Sequence, residues 1–193
     1  MLQKKRKNPA QLILAAVIVL LMAAVFMFSS QNADESASVS KGVTYTAVRL
    51  MIEDYDSYPE PLRQQLVDIA HPTVRKAAHF MAFMAIGAAA FFFALTLEYK
   101  RPKKYVICFL VCVLYAVLDE LHQLLSPGRA CQLSDVFIDS LGSLTGMLLA
   151  GCVCLIAVGA RNVIQKEKDN KDSRDVEDTS VDKTENNKSE VAG

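Results

Sequence analysis

Apolar residues along this chain gather into long blocks parted by short polar stretches, and block length is the first structural information. From Pro9 to Phe28 no charge interrupts the run. At roughly 1.5 Å of rise per residue, about 20 residues cross some 30 Å of hydrocarbon, so a transmembrane helix is expected over 9–29. A basic flank before an apolar run also fits a signal peptide. However, the stretch is long for that purpose, no small-x-small cleavage site leads into a soluble domain, and more apolar blocks follow. An uncleaved helix is therefore expected. Further spans fall at about 75–97, 104–123 and 134–160. The third reaches spanning length only if it carries Asp119 and Glu120 about one turn below the membrane surface.

The remaining segments read differently. Residues 30–74 are mixed, with Pro59 and Pro61 breaking the middle. Val43, Ala47, Leu50 and Met51 recur at helical spacing, as do Leu62, Leu66 and Ile69, which fits two short helices on the membrane surface or ordinary helices under a loop. Residues 161–193 alternate Lys, Asp, Glu, Asn and Ser with scarcely an apolar side chain. Such a segment buries too little surface to offset its chain entropy, and a disordered cytoplasmic tail is expected. The fold class is all-α: a polytopic membrane protein of about four transmembrane helices, residues 9–160, with an extracytoplasmic loop after the first.

Orientation follows from basic residues in short loops. Lys4-Lys5-Arg6-Lys7 in the flank 1–8 and Lys100, Arg101, Lys103 and Lys104 in the second connection mark the cytoplasmic side. Both termini are then cytoplasmic, and 30–74 and 122–134 lie outside.

Composition narrows the function. Lys plus Arg and Asp plus Glu each number 21, and 52% of residues are apolar. Without a basic face, nucleic acid is not an expected partner. Five cysteines, at 108, 112, 131, 152 and 154, form no CxxC pair or zinc-like spacing, and four sit in apolar blocks as small hydrophobes. No Gly-rich phosphate loop, GxSxG elbow or HExxH is present.

The expected topology gathers unusual polar residues at one depth. Ser29, Ser30 and Gln31 close the first helix, and Arg75 and His79 open the second at i and i+4. Asp119, Glu120, His122 and Gln123 close the third. Arg129 lies in the outer loop, and Asp135 and Asp139 open the fourth. Ionisable groups at membrane depth are costly and face a bundle interior or wet cavity in each other's company, so these residues are expected to form one site. The carboxylates and imidazoles could shuttle protons or hold a hard cation, with Glu120 or His122 as the catalytic candidates. No cofactor is expected and no metal is assigned. Arg75 and Arg129 suit a phosphate or carboxylate, since the guanidinium fork binds either through two parallel hydrogen bonds. A network of interhelical ion pairs that only fixes helix register accounts for the same residues. His79 then partners a carboxylate, Asp135 favours a helix start, and Ser126-Pro127-Gly128 is a turn. Gly142 and Gly146, a GxxxG pair, permit close helix packing within the chain or between copies, as does the stretch Ala85–Ala89.

These residues also carry a resemblance. Ser29-Ser30-Gln31, Arg75-Lys76-Ala77-Ala78-His79-Phe80, Asp119-Glu120-Leu121-His122-Gln123, Pro127-Gly128-Arg129 and Ser134-Asp135-Val136, with Gly142 and Gly146, occur in an order similar to that of the VanZ-like family of bacterial membrane proteins. Asp139 departs from that pattern, which places Asn there. The resemblance covers most of 9–160 and implies a cell-envelope role connected with resistance to the glycopeptide teicoplanin. Three functional classes follow. The site could bind a lipid headgroup or peptidoglycan precursor, it could act as a membrane enzyme on a lipid-linked substrate, or the chain could be a structural partner protein.

Overall fold

A computed structural model describes residues 9–30, 33–99, 102–125 and 132–191, with side chains for all of these except 33–40, 169 and 171–191. The elements are α1 (Pro9–Ser29), α2 (Ala33–Met51), a single 3₁₀ turn at Tyr55–Ser57, α3 (Glu60–Thr96), α4 (Lys103–Gln123) and α5 (Leu133–Val191). Four helices are long and apolar enough to cross a membrane: α1, α3, α4 and α5 from Leu133 to Lys168. No strand occurs among the described residues. The chain divides into two compact units, residues 1–150 and 151–193.

The first unit is the bundle. Phe83, Ile86, Ala90 and Ala94 of α3 meet Cys108, Cys112 and Ala116 of α4, Val25 of α1 and Met147 of α5 in one apolar core. Close approach of α3 and α5 depends on missing side chains. A β-carbon on Gly87 would overlap the Ser143 backbone, one on Gly146 would overlap Met84, and one on Gly142 would stand 2.5 Å from the Phe80 carbonyl oxygen. Where lipid solvates apolar side chains as well as the protein does, such backbone proximity is what favours association. The Ser143 hydroxyl, fully buried, adds a 3.3 Å hydrogen bond to the Phe83 carbonyl. The GxxxG face, a candidate contact between copies, is thus occupied by α3 of the same chain. Tyr115 ties α4 to α1 with a 2.6 Å hydrogen bond from its hydroxyl to the Met22 carbonyl. Outward-facing residues of α1 such as Ile13, Val19 and Leu20 are more than 60% exposed, an apolar surface suited to hydrocarbon rather than water.

Two local expectations change. The helix that carries the expected second span begins far upstream of Arg75. The helix α3 starts at Glu60 and runs 37 residues through Pro72, roughly 55 Å, well beyond one hydrocarbon thickness. Pro61 fits because first-turn N–H groups lack helical partners anyway. Pro72 deletes one mid-helix bond, a cost that helix packing on either side absorbs. Buried Val67 packs where Thr44, Val48 and Tyr55 are also enclosed, so residues 60–74 extend the bundle helix rather than lying apart from it. The second change concerns α2. Val43, Leu50 and Met51 are 62–85% exposed, and the buried positions are Thr44 and Val48. Helical spacing marks more than one face, and contact with α3 selects the neighbouring one.

In the second unit the backbone continues as helix to Val191, over the stretch expected to be disordered. Every side chain from Arg161 to Lys168 is exposed, so over those eight residues local hydrogen bonds and helical propensity support the helix.

Candidate functional site

Helix direction alone brings the polar groups together. With α1 and α4 running one way and α3 and the start of α5 the other, the C-terminal turns of the first pair meet the polar turns of the second. The α4 contribution is deepest. Asp119, Glu120 and Gln123, at i, i+1 and i+4, are 1%, 3% and 4% exposed, and Asp139 of α5 is 3% exposed. Burial of this kind is expensive unless each group finds a partner.

A chain of hydrogen bonds links three helices. The Ser29 hydroxyl donates to Asp119 Oδ2 at 2.9 Å, and Gln123 Nε2 donates to the same oxygen at 3.0 Å. Arg75 Nη2 in turn donates to Gln123 Oε1 at 3.0 Å. The Gln123 amide therefore passes polarisation from a cation on α3 to a carboxylate on α4. From α3, His79 Nδ1 lies 4.0 Å from Asp119 Oδ2 and 3.8 Å from Asp139 Oδ2. Asp119 Oδ1 and Asp139 Oδ1 are buried with no hydrogen-bond partner among the described residues. His79, Asp119 and Asp139 form a group whose donor atoms all lie within 4.8 Å of one another.

The rim is built separately. Lys76 Nζ pairs with Asp135 Oδ1 at 2.7 Å and donates to Gln132 Oε1 at 3.2 Å. Glu120 Oε1 accepts a 2.6 Å hydrogen bond from the Gln132 backbone N–H, immediately before α5. A carboxylate there answers an N–H near the positive end of the helix dipole. Arg75, Lys76, His79, Gln123, Asp135, Ile138 and Asp139 line an opening of about 10 Å³, room for one water-sized occupant.

Most of the expected site residues thus converge. Arg75, His79, Asp119, Gln123 and Asp139 form the interior, with Glu120 and Asp135 at the rim. His122 does not join them: its ring stacks on Phe26 of α1, centroids 4.1 Å apart and planes at 24°, and its Nε2 is buried without a partner. Arg129, with Gln31 and Ser126-Pro127-Gly128, lies outside the described residues. Lys76 and Gln132 were missed as site residues. Lys76 is one of two adjacent cations opening the polar stretch of α3, and that doubling was the available signal. Nothing in the sequence marks Gln132. Among the described residues Cys108, Cys112, Cys152 and Cys154 are free thiols.

Comparison with known proteins bears on the same segment. No curated protein and no solved structure matches the chain. The sequence model of the VanZ/LLP1 family matches residues 14–155, which takes in most of α1, all of α2 to α4, the described polar site and the bundle part of α5. A match over most of the chain, together with four membrane-length apolar helices and the site motifs in order, shows that this membrane protein belongs to the VanZ-like family.

Proposed function

We propose that the chain acts in the bacterial cell envelope by binding the phosphate or carboxylate of an envelope lipid or peptidoglycan precursor at the mouth of its polar site. In doing so it lowers sensitivity to glycopeptides such as teicoplanin. One observation carries this reading. Arg75 is half-buried on the wall of the opening, donates to the neutral amide of Gln123, and pairs with no carboxylate among the described residues. A guanidinium held in place, partly desolvated and in direct contact with no carboxylate among the described residues, is a strong partner for an anionic oxygen.

The opening is too small for a headgroup to enter, so the ligand engages the rim, one oxygen over Arg75 and its body outside. Arg129 is the proposed second arm. The mouth is proposed to face outward with both termini cytoplasmic, which places it where precursors and glycopeptides meet.

The test uses Arg75→Gln, which keeps a hydrogen-bonding side chain and removes the charge. Purified protein in nanodiscs is titrated with vesicles carrying a lipid-linked diphosphate. Losing one charge-assisted contact weakens binding by about tenfold or more. In cells, the variant reaches the membrane at wild-type level and teicoplanin sensitivity returns to that of cells lacking the protein. Undiminished resistance and binding in Arg75→Gln would overturn the reading.

A further inference from the structure

Two carboxylates and one imidazole, each from a different helix, meet just inside the mouth. His79 comes from α3, Asp119 from α4 and Asp139 from α5, with donor atoms that all lie within 4.8 Å of one another. His79 Nδ1 is 4.0 and 3.8 Å from the nearer carboxylate oxygens, beyond hydrogen-bond distance. Both aspartates are at least 97% buried, and each keeps one buried oxygen, Oδ1, with no hydrogen-bond partner among the described residues. An orphaned carboxylate oxygen is rare because nothing repays its desolvation. Two on adjacent carboxylates concentrate negative charge where water cannot screen it. Within the trio one imidazolium offers at most a single positive charge against two negatives; Lys76 is engaged by Asp135, and Arg75 reaches Asp119 only through the Gln123 amide.

We propose that His79, Asp119 and Asp139 form a binding site for one divalent transition-metal ion of the Zn²⁺ or Mn²⁺ class. The ion neutralises both carboxylates and takes up their unused lone pairs. One nitrogen and two oxygen donors favour this class over Ca²⁺ and Mg²⁺, which prefer all-oxygen shells. Metal–ligand bonds of roughly 2.0–2.2 Å require the donors to close to about 3.4 Å of one another, a side-chain adjustment rather than a helix movement. The Asp119 oxygen nearer His79 is Oδ2, which Ser29 and Gln123 already hold. The ion takes a free lone pair of Oδ2 or draws in the unpartnered Oδ1 by a turn of the carboxylate, and the two hydrogen bonds act as the supporting tier found around metal ligands. Three protein ligands leave a position open, and the opening of about 10 Å³ bordered by His79 and Asp139 lies beside it. The ion site does not depend on whether an anion binds at Arg75.

The test takes the full chain, purified in detergent, stripped with chelator and dialysed against Zn²⁺ or Mn²⁺. Elemental analysis gives one equivalent per chain. His79→Gln and Asp139→Asn each lower occupancy at least tenfold, whereas Asp135→Asn, a carboxylate at the same end but outside the group, keeps it. Circular dichroism establishes that each variant remains helical. Cobalt substitution of the wild-type chain gives visible ligand-field bands with imidazole coordination, so the outcome stays decidable if a variant fails to fold. Occupancy below a tenth of an equivalent in the wild type, full occupancy in folded Asp139→Asn, a colourless cobalt form, or preference for Mg²⁺ or Ca²⁺ each overturns the proposal.

Discussion

Two charged regions of the first unit treat their charges differently. In the cap made by α2, the Tyr55–Ser57 turn and the start of α3, opposite charges are matched. Lys41 lies 3.3 Å from Asp68, Arg49 lies 2.6 Å from Asp56, and Arg63 contacts Glu60. The first two pairs are more than half exposed, so water would screen any mismatch. At the polar end of the bundle, matching stops short. Lys76 and Asp135 pair, but among the described residues the ion-pair partner of Asp119 and Asp139 is one imidazole 3.8–4.0 Å away, and Arg75 donates to an amide. There a mismatch has to be answered by hydrogen bonds such as those of Ser29 and Gln123, or by something that binds. Ion pairs that close are architecture, whereas a charge balance left open in a buried place marks a site.

The comparison breaks most sharply at Asp119. Asp119→Ala removes the buried acceptor shared by the Ser29 hydroxyl and the Gln123 amide, and about 3–5 kcal/mol of stability is lost, at roughly 1.5–3 kcal/mol for each hydrogen bond to a charged group. Asp56→Ala removes the carboxylate of an exposed pair and costs less than about 1 kcal/mol. Unfolding of both variants in mixed micelles, followed by far-ultraviolet circular dichroism, measures the difference. Equal losses would mean that the polar end is as wet as the cap. Glu120 sharpens the picture next. Glu120→Gln keeps an oxygen for the Gln132 N–H and stays within about 1 kcal/mol of wild type. Glu120→Ala loses about 1–3 kcal/mol, because the part-buried hydrogen bond from the Gln132 N–H to a charged acceptor is removed. If Gln proves as damaging as Ala, the charge of Glu120, rather than its hydrogen bond, is what matters.

Much of this contrast was legible in the sequence because a membrane imposes simple rules. Four apolar blocks of spanning length fix four helices, and alternating direction puts Arg75, His79, Asp119 and Asp139 at one end without knowledge of contacts. Which groups touch was not legible. His122 is three residues from Asp119, close to one helical turn, and a modest rotation separates a ring that stacks on Phe26 from a carboxylate that faces His79. That Lys76 rather than Arg75 meets Asp135 follows from side-chain direction on α3, which periodicity cannot resolve. The cap was least legible: Thr44 and Val48 are buried because α3 extends through Pro72, and a proline inside an apolar pattern reads as a boundary.

Between the two extremes lies the rim. The Lys76 and Asp135 side chains are 37% and 21% exposed, intermediate between cap and interior. Lys76→Met therefore costs about 0.5–1 kcal/mol, discounted for partial solvation. The loss shrinks as ionic strength rises, because a pair open to solvent is screened where a buried one is not. Thermal unfolding at low and high salt reads this directly. A salt-independent loss would move Lys76 into the interior class and make its role that of the buried groups.

The smallest effect separates cap from bundle by pH. Tyr55 is 2% exposed, donates through its hydroxyl to the Arg63 carbonyl at 3.3 Å, and packs edge-on against Tyr45 at 5.5 Å. Burial, more than the neighbouring Tyr45, Glu60 and Asp56, pushes its phenol above the ordinary value of 10.0, with Arg63 pulling the other way. A group whose folded pKa is raised stabilises fully below its unfolded pKa. The contribution is lost as pH climbs from about 10 through the folded value, because only the unfolded chain then gains by releasing the proton. Limited proteolysis at the α2–α3 junction should therefore accelerate above pH 10 in the wild type, and this alkaline increment should be missing in Tyr55→Phe. The difference absorbance at 295 nm between the two chains should show the missing phenol titrating later than free tyrosine. Titration at the free value, or an unchanged alkaline increment in Tyr55→Phe, would mean that the cap opens to water around that ring and that its packing against α3 is looser than the geometry describes.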